Sequence, residues 1–265
     1  SDEGEFIFDV DRWKNVTKSS SRLTEQKNNS HENILSKVKY LNQVYIGKKN
    51  GLFILNEIEN ELIEIFPRDR NYSWKLSNVN VLHVDFKDRL WFGSDEGVGY
   101  YYKGQWKLFT GKEGLPFKYF TCIAGAPDGE IWFGTKKGAI RTDGKNFHYR
   151  FSRRWLPDDY VNDILVEKDG TVWLATNNGV SRIIFQSMTL EEKANLFTEQ
   201  VESYHNRMGF IAQNQLKIRY DKNSWEPAIS DNDGTYTAMY GAAQAFRYAV
   251  TGNLEAKKLA KRSFN

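Results

Sequence analysis

Ile131-Trp-Phe-Gly-Thr-Lys-Lys-Gly-Ala139 decides the fold, because the chain writes it four times. The other copies are Val44-Tyr-Ile-Gly-Lys-Lys-Asn-Gly-Leu52, Leu90-Trp-Phe-Gly-Ser-Asp-Glu-Gly-Val98 and Val172-Trp-Leu-Ala-Thr-Asn-Asn-Gly-Val180. They align without gaps. The aromatic positions Tyr45, Trp91, Trp132 and Trp173 lie 46, 41 and 41 residues apart, and Gly51, Gly97, Gly138 and Gly179 keep those separations. A fixed period of this length marks a repeat architecture in which each unit buries its apolar face on the next.

Each unit has one grammar. An apolar strand such as 161–166 comes first, followed by a turn at Lys87-Asp88, Asp128-Gly129 or Asp169-Gly170. Asp-Gly predicts a two-residue hairpin turn with φ > 0 at both central residues. The Trp-bearing strand follows, then a turn ending at the repeated glycine, a third strand such as 98–102, and a fourth at 106–109 or 147–151. Four short strands every 41 residues make a β-propeller blade. The repeated Trp is read as packing between blades, since a broad ring fills the wedge between sheets. The glycines are turn formers; no helix follows them as in a phosphate loop.

The ends of the array differ from its middle. Asp11-Arg-Trp-Lys-Asn-Val-Thr17 parallels Gly104-Gln-Trp-Lys-Leu-Phe-Thr110, so residues 5–17 read as the last two strands of a blade. Residues 164–185 supply three strands before the pattern turns helical. The expected division is a propeller segment over 1–186, with repeats near 30–70, 75–110, 116–151 and 157–186, and a helical domain over 187–265.

In that second part the apolar period changes from 2 to 3.6. Thr189 before Leu190-Glu191-Glu192 is a capping box. Leu190, Ala194, Phe197, Val201 and Tyr204 form one stripe of a helix expected to run to Asn206 and end at Gly209. A second helix opens near 230–233 and ends at Gly252; Tyr236, Met239, Ala243, Phe246 and Val250 make it apolar all round, which predicts burial on all sides. A third starts near Leu254.

Bulk properties narrow the class. Of 265 residues, 40% are hydrophobic, 27% charged and 15% aromatic, a globular composition suited to pleated surfaces. Net charge is +3, without the basic stripe of a nucleic-acid binder. The lone Cys122 forms no internal disulfide and reads as a buried thiol; no metal-ligand spacing surrounds it, and no nucleotide or cofactor fingerprint is present. No apolar run reaches transmembrane length, and the first residues lack a signal-peptide pattern, as a processed start would also do. Sequons at Asn15, Asn28 and Asn71 are about as many as chance supplies.

The apolar-Trp-Phe-Gly-Thr pattern, with Gly114-Leu-Pro116 or Trp155-Leu-Pro157 before the next inner strand, resembles the two-component-regulator propeller repeat over residues 30–185. That resemblance implies a seven-bladed ring in a bacterial extracytoplasmic sensor or carbohydrate-active protein. It also implies that about four blades of the ring are present and that further parts of the full-length chain complete it. Residues 204–209, 230–244 and 246–252 are similar to segments of bacterial proteins that join such a propeller to an α/α toroid, among them lyases of glucuronate-containing polysaccharide. Thr235-Tyr236 departs from that pattern, which expects Leu-Trp.

Two function classes follow. The first is a periplasmic or extracellular lyase cleaving a uronate-containing glycan by β-elimination. There the resemblance implies His205 as base, Arg207 pairing the uronate carboxylate and Tyr236 donating to the leaving oxygen, with Asp231, Asn232 and Asp233 binding substrate. The second is a non-catalytic propeller that senses or binds a glycan or scaffolds partners. Its candidates are residues preceding the inner strands, which ring the central funnel: Asn78, Lys118, Tyr119, Asp159 and Tyr160. For most of these a plainer role stands alongside: His205 as helix C-cap, 231–233 as N-cap and dipole compensation, and the rim residues as loop packing.

Overall fold

The computed structural model describes residues 5–9, 12–16, 34–70, 72–218, 221–228 and 230–264, with only the backbone of 5–9 and 12–16. Contacts divide the chain into two compact units, Ser1–Phe185 and Gln186–Asn265. The first is β, the second mostly helical with short hairpins. Sequons at Asn28 and Asn71 lie outside the described residues.

Three sheets of the first unit have four antiparallel strands each. They are Ile34–Tyr40, Gln43–Lys48, Gly51–Asn56 and Glu61–Ile65; Val81–Val84, Leu90–Gly93, Val98–Tyr102 and Gln105–Phe109; and Phe120–Gly125, Ile131–Thr135, Gly138–Thr142 and Phe147–Arg150. A fourth sheet has the three strands Val161–Val166, Val172–Thr176 and Gly179–Ile183. These are propeller-type blades. A separate hairpin pairs Glu5–Asp9 with Arg12–Val16, in the same strand-turn-strand spacing as Val98–Tyr102 and Gln105–Phe109. The longer first repeat is explained by a small hairpin, Arg68–Asp69 with Tyr72–Ser73, whose Asp69 takes an ion pair from Lys107 at 3.2 Å.

The sheets pack through the repeated ring. Trp91 and Trp132 are fully buried and Tyr45 nearly so. Trp91 lies edge-on to Phe133 of the following sheet, 6.0 Å between centroids. Its Nε1 donates to Asp85 Oδ2 at 2.8 Å, and Asp85 also accepts from Arg89 Nε at 2.6 Å. Arg89 then donates through Nη2 to Gly129 O in the next sheet at 2.8 Å. The buried acid is thus paired, and its cation reaches across the seam. Tyr40 does the same one sheet earlier, donating its hydroxyl to Asp88 O at 2.9 Å. The repeated turn glycine is required sterically: at Gly138, φ is 123° and a Cβ would meet Arg150 O at 2.5 Å.

Three expectations are corrected. The inner-strand turns have one left-handed residue, not two: Gly129 N donates to Ala126 O at 2.8 Å and Ala126 N to Glu130 O at 2.8 Å, with φ 83° at Gly129 alone. Pro127 fixes a negative φ at the first turn position, so the loop is a type I turn closed by a left-handed residue. The first helix, α1 (Leu190–Tyr204), has its capping box at Thr189 and Glu192 but ends two residues early, because 206–207 and 210–211 pair as a tight hairpin turning at Met208 and Gly209, with φ 53° and 104°. The second helix, α2 (Asp233–Thr251), is not buried on all sides. Its buried residues are Thr237 and Gln244, while Phe246 and Val250 are 73% and 85% exposed. The third, α3 (Leu254–Phe264), packs on α2 and buries Ala256 and Leu259.

Glu202 joins the three helices. It accepts from both terminal nitrogens of Arg262, at 2.6 and 2.9 Å, from Tyr240 Oη at 2.7 Å and from Asn206 Nδ2 at 2.7 Å. Burial opposes its ionisation, but these donors outweigh it and hold its pKa below the ordinary carboxylate value.

Candidate functional site

The helical unit holds an open cleft of about 450 Å³ between the C-terminal half of α1 and the hairpin pairing Asn214–Leu216 with Trp225–Pro227. Tyr204 and Trp225 form an aromatic corner, edge to face at 6.3 Å and 87°, both more than a third exposed. Glu199, Gln200, Ser203, Asn214, Gln215 and Lys222 supply polar groups on its walls. Glu199 and Lys222 make no ion pair among the described residues. A broad ring beside amides and unpaired charges suits a flat polyhydroxylated ligand, whose C–H face lies on the ring while its hydroxyls meet the polar wall.

His205 lines this cleft and is also the C-cap of α1, its N–H donating to Val201 O at 2.9 Å. Its Nδ1 lies 3.0 Å from Ala212 O. A carbonyl only accepts, so this contact puts the proton of a neutral ring on Nδ1 and the free lone pair on Nε2.

Arg207 is engaged elsewhere. Its Nη2 donates to Gln213 O at 2.6 Å, Asn214 Oδ1 at 3.1 Å and Ala228 O at 3.3 Å, tying two hairpins together. Tyr236, on α2 and 39% exposed, does not line the cleft. Asp233 accepts from Gln213 N at 3.1 Å, fastening the start of α2 to that loop; Asn232 is the N-cap but makes no side-chain capping bond, and Asp231 is exposed. Of these candidates, only His205 lines the cleft.

On the propeller unit, Asn78 and Tyr119 fall at equivalent positions with left-handed backbone, φ 48° and 61°. Asn78 donates its amide to Asp95. Tyr119 is half exposed, edge-on to Phe117 at 5.6 Å, beside exposed Lys118. Asp159 accepts from Ser152 N at 2.6 Å, and Tyr160 O accepts from Asn177 N at 3.2 Å. Asn78, Tyr119, Asp159 and Tyr160 therefore have loop-holding bonds, Tyr119 through its carbonyl to Lys136 N at 3.3 Å, while Lys118 is exposed and the Tyr119 ring is half exposed.

The sequence analysis gave no binding role to Trp225, Asn214 or Lys222 and placed Tyr204 only in the apolar stripe of the first helix. The available signal was Trp225 standing alone in the polar run 221–226, where a large ring has little local partner.

Among curated proteins none matches the chain. Solved structures that resemble it include extracellular domains of two hybrid two-component systems from B. thetaiotaomicron. One is 21% identical, covering 60% of this chain and 23% of that chain with TM-score 0.48. The other is 24% identical, covering 65% and 24% with TM-score 0.47. Virginiamycin B lyase from Staphylococcus aureus is 20% identical, covering 55% and 53% with TM-score 0.37. The chain thus matches only about a quarter of the length of the first two. Residues 114–137 and 156–178 match the family described as two component regulator propeller, and each match starts at the loop before an inner strand and runs through the Trp-bearing strand of the third or fourth blade.

Proposed function

We propose that this chain is part of an extracytoplasmic, non-catalytic propeller protein that binds a glycan, with the helical-unit cleft as a saccharide contact. The observation that carries the sensor-type reading is the match of two repeats to the two component regulator propeller pattern. The cleft adds the ligand class: Trp225 and Tyr204 offer a stacking corner, and Lys222 offers a cation to an acidic sugar. Compartment, a seven-bladed ring and a toroidal continuation belong to this proposal, as do the rim residues Lys118 and Tyr119 as a second contact. Neither nucleic acid nor membrane insertion has a role in it, and no cofactor or metal is invoked.

Calorimetric titration with uronate-containing oligosaccharides tests the reading. Binding that is lost in Trp225→Ala, with unchanged far-UV circular dichroism, supports it; equal affinity in both proteins rejects the cleft.

The lyase reading keeps one supporting observation, a histidine, His205, on the cleft wall with its Nδ1 against Ala212 O. An unsaturated-uronate absorbance signal on glucuronate-rich polysaccharide, absent in His205→Ala, would establish that reading over the non-catalytic one.

A further inference from the structure

One linker of the propeller unit departs from the other two. Ile65, Phe109 and Arg150 end the outer strands opposite Leu52, Val98 and Ala139. From there to Val79, Phe120 and Val161, which share a repeat register, positions 65–79 span three residues more than 109–120 or 150–161. The extra length is taken up by the hairpin of Arg68–Asp69 and Tyr72–Ser73, closed at its base by Trp74 N donating to Pro67 O at 2.9 Å. The hairpin is laid on the second blade. Asp69 Oδ2 accepts from Leu108 N at 3.2 Å and pairs with Lys107 Nζ at 3.2 Å. The half-buried Trp74 stands edge-on to the buried Phe92, 6.2 Å between centroids.

Between this hairpin and the outer strand of the second blade lies a cavity of about 170 Å³. Its walls carry the rings of Tyr72 and Trp74 and the cations of Arg70, Lys107 and Lys112. Two acids in the wall are already engaged. Asp69 holds Lys107, and Glu113 Oε2 accepts from Thr110 N at 2.8 Å and Thr110 Oγ1 at 2.7 Å, bonds that keep its carboxyl below the ordinary range. Arg70 and Lys112 are exposed and make no ion pair among the described residues. The cavity therefore joins two cations without an acid to a pair of aromatic rings, of which Tyr72 is 58% exposed.

We propose that this cavity is a binding site for a monosaccharide acid, a single hydroxylated ring that carries a carboxylate. Arg70 and Lys112 take the carboxylate, and the C–H face of the ring lies on Tyr72 or Trp74. Asp69 Oδ1 takes neither of the bonds made by Oδ2, so it is an acceptor for a ring hydroxyl, a group that a plain aromatic acid lacks. The volume is below the roughly 300–1,000 Å³ of pockets for drug-sized ligands, so one ring enters and not a chain. The site is built within the propeller unit and stands whether or not the helical-unit cleft binds a saccharide.

Isotope labelling of the tryptophan indole nitrogens in the full chain gives each ring its own magnetic resonance, with Trp74 assigned through Trp74→Phe and Trp225 through Trp225→Phe. Titration with glucuronate should shift the Trp74 resonance saturably. Arg70→Asn combined with Lys112→Gln should weaken the affinity read there by about tenfold or more. Asparagine is chosen at 70 because it tolerates the left-handed backbone of that position, φ 55°. Unmoved resonances of the buried Trp91 and Trp132 show that the double variant keeps its fold; if they move, Lys112→Gln alone, at an exposed side chain, must still weaken the affinity. Glucose, without the carboxylate, and benzoate, without the hydroxyls, should each bind more weakly than glucuronate. A Trp74 resonance that glucuronate leaves in place, or an affinity unchanged in the folded variant, overturns the site. Equal affinity for glucose or for benzoate overturns the ligand class. The Trp225 resonance reports the helical-unit cleft in the same titration, so the two readings fail separately.

Discussion

The blade seams and α2 bury opposite kinds of side chain. At the seams Trp91, Trp132 and Phe133 are fully enclosed, and the buried charge Asp85 is completely paired. On α2 the enclosed residues are Thr237 and Gln244, and Met239, Phe246 and Val250 lie open. The difference teaches that composition does not assign burial; the partner surface does. The second, third and fourth sheets each pack on the sheet before them at a fixed spacing, so the apolar registers at those seams are covered. The helices are joined through Glu202, Arg262 and Tyr240, which turn the polar stripe of α2 inward.

The largest expected effect tests the seam side of this contrast. Trp132→Ala removes a fully buried ring and should destabilise the propeller unit by about 3–5 kcal/mol in urea unfolding followed by tryptophan fluorescence. A loss below about 1 kcal/mol would mean that the seams are not where stability resides.

Gly134→Val probes the close approach itself. A side chain at 134 would crowd Cys122 Sγ within its own sheet and Val161 Cγ1 of the next, and should cost about 1–3 kcal/mol in the same assay, whereas Ala175→Val should cost less, since no sheet among the described residues lies against it.

Glu202→Gln probes the polar junction. Its side chain is 27% exposed, so the expected loss is about 1.5 kcal/mol, the low end for hydrogen bonds to a charged group. Because the folded pKa of Glu202 is lowered, its contribution is present above the unfolded value and is lost as pH falls through the folded one. In circular-dichroism melts across acid pH the wild type should lose stability toward the level of Glu202→Gln, which lacks this contribution at every pH and should show a flatter dependence.

The smallest effect is expected at Phe246→Ser, within about 0.5 kcal/mol, since the ring is 73% exposed. A loss of 2 kcal/mol or more, on the order of a buried side chain, would reveal a cover over this face and dissolve the contrast between the two regions.

Much of this was legible in the residues because the information was local. The period of 41, the paired turn glycines and the Trp-bearing strand place four sheets in register, and Thr189 with Glu192 marks the start of α1. The site was less legible. His205 was visible as a residue of the right type at a helix end, but its ring is held by Ala212 O, seven residues on. Arg207 and Asp233 carry types suited to substrate, and backbone groups take up the bonds described for them. Trp225 meets Tyr204 only because two short hairpins fold back after α1.

The sequence by itself determined strand order, repeat spacing and helix starts, since turns and caps depend on neighbours within a few residues. Tertiary structure alone decided which Trp is enclosed and which face of α2 turns inward, because each depends on a surface brought in from far along the chain.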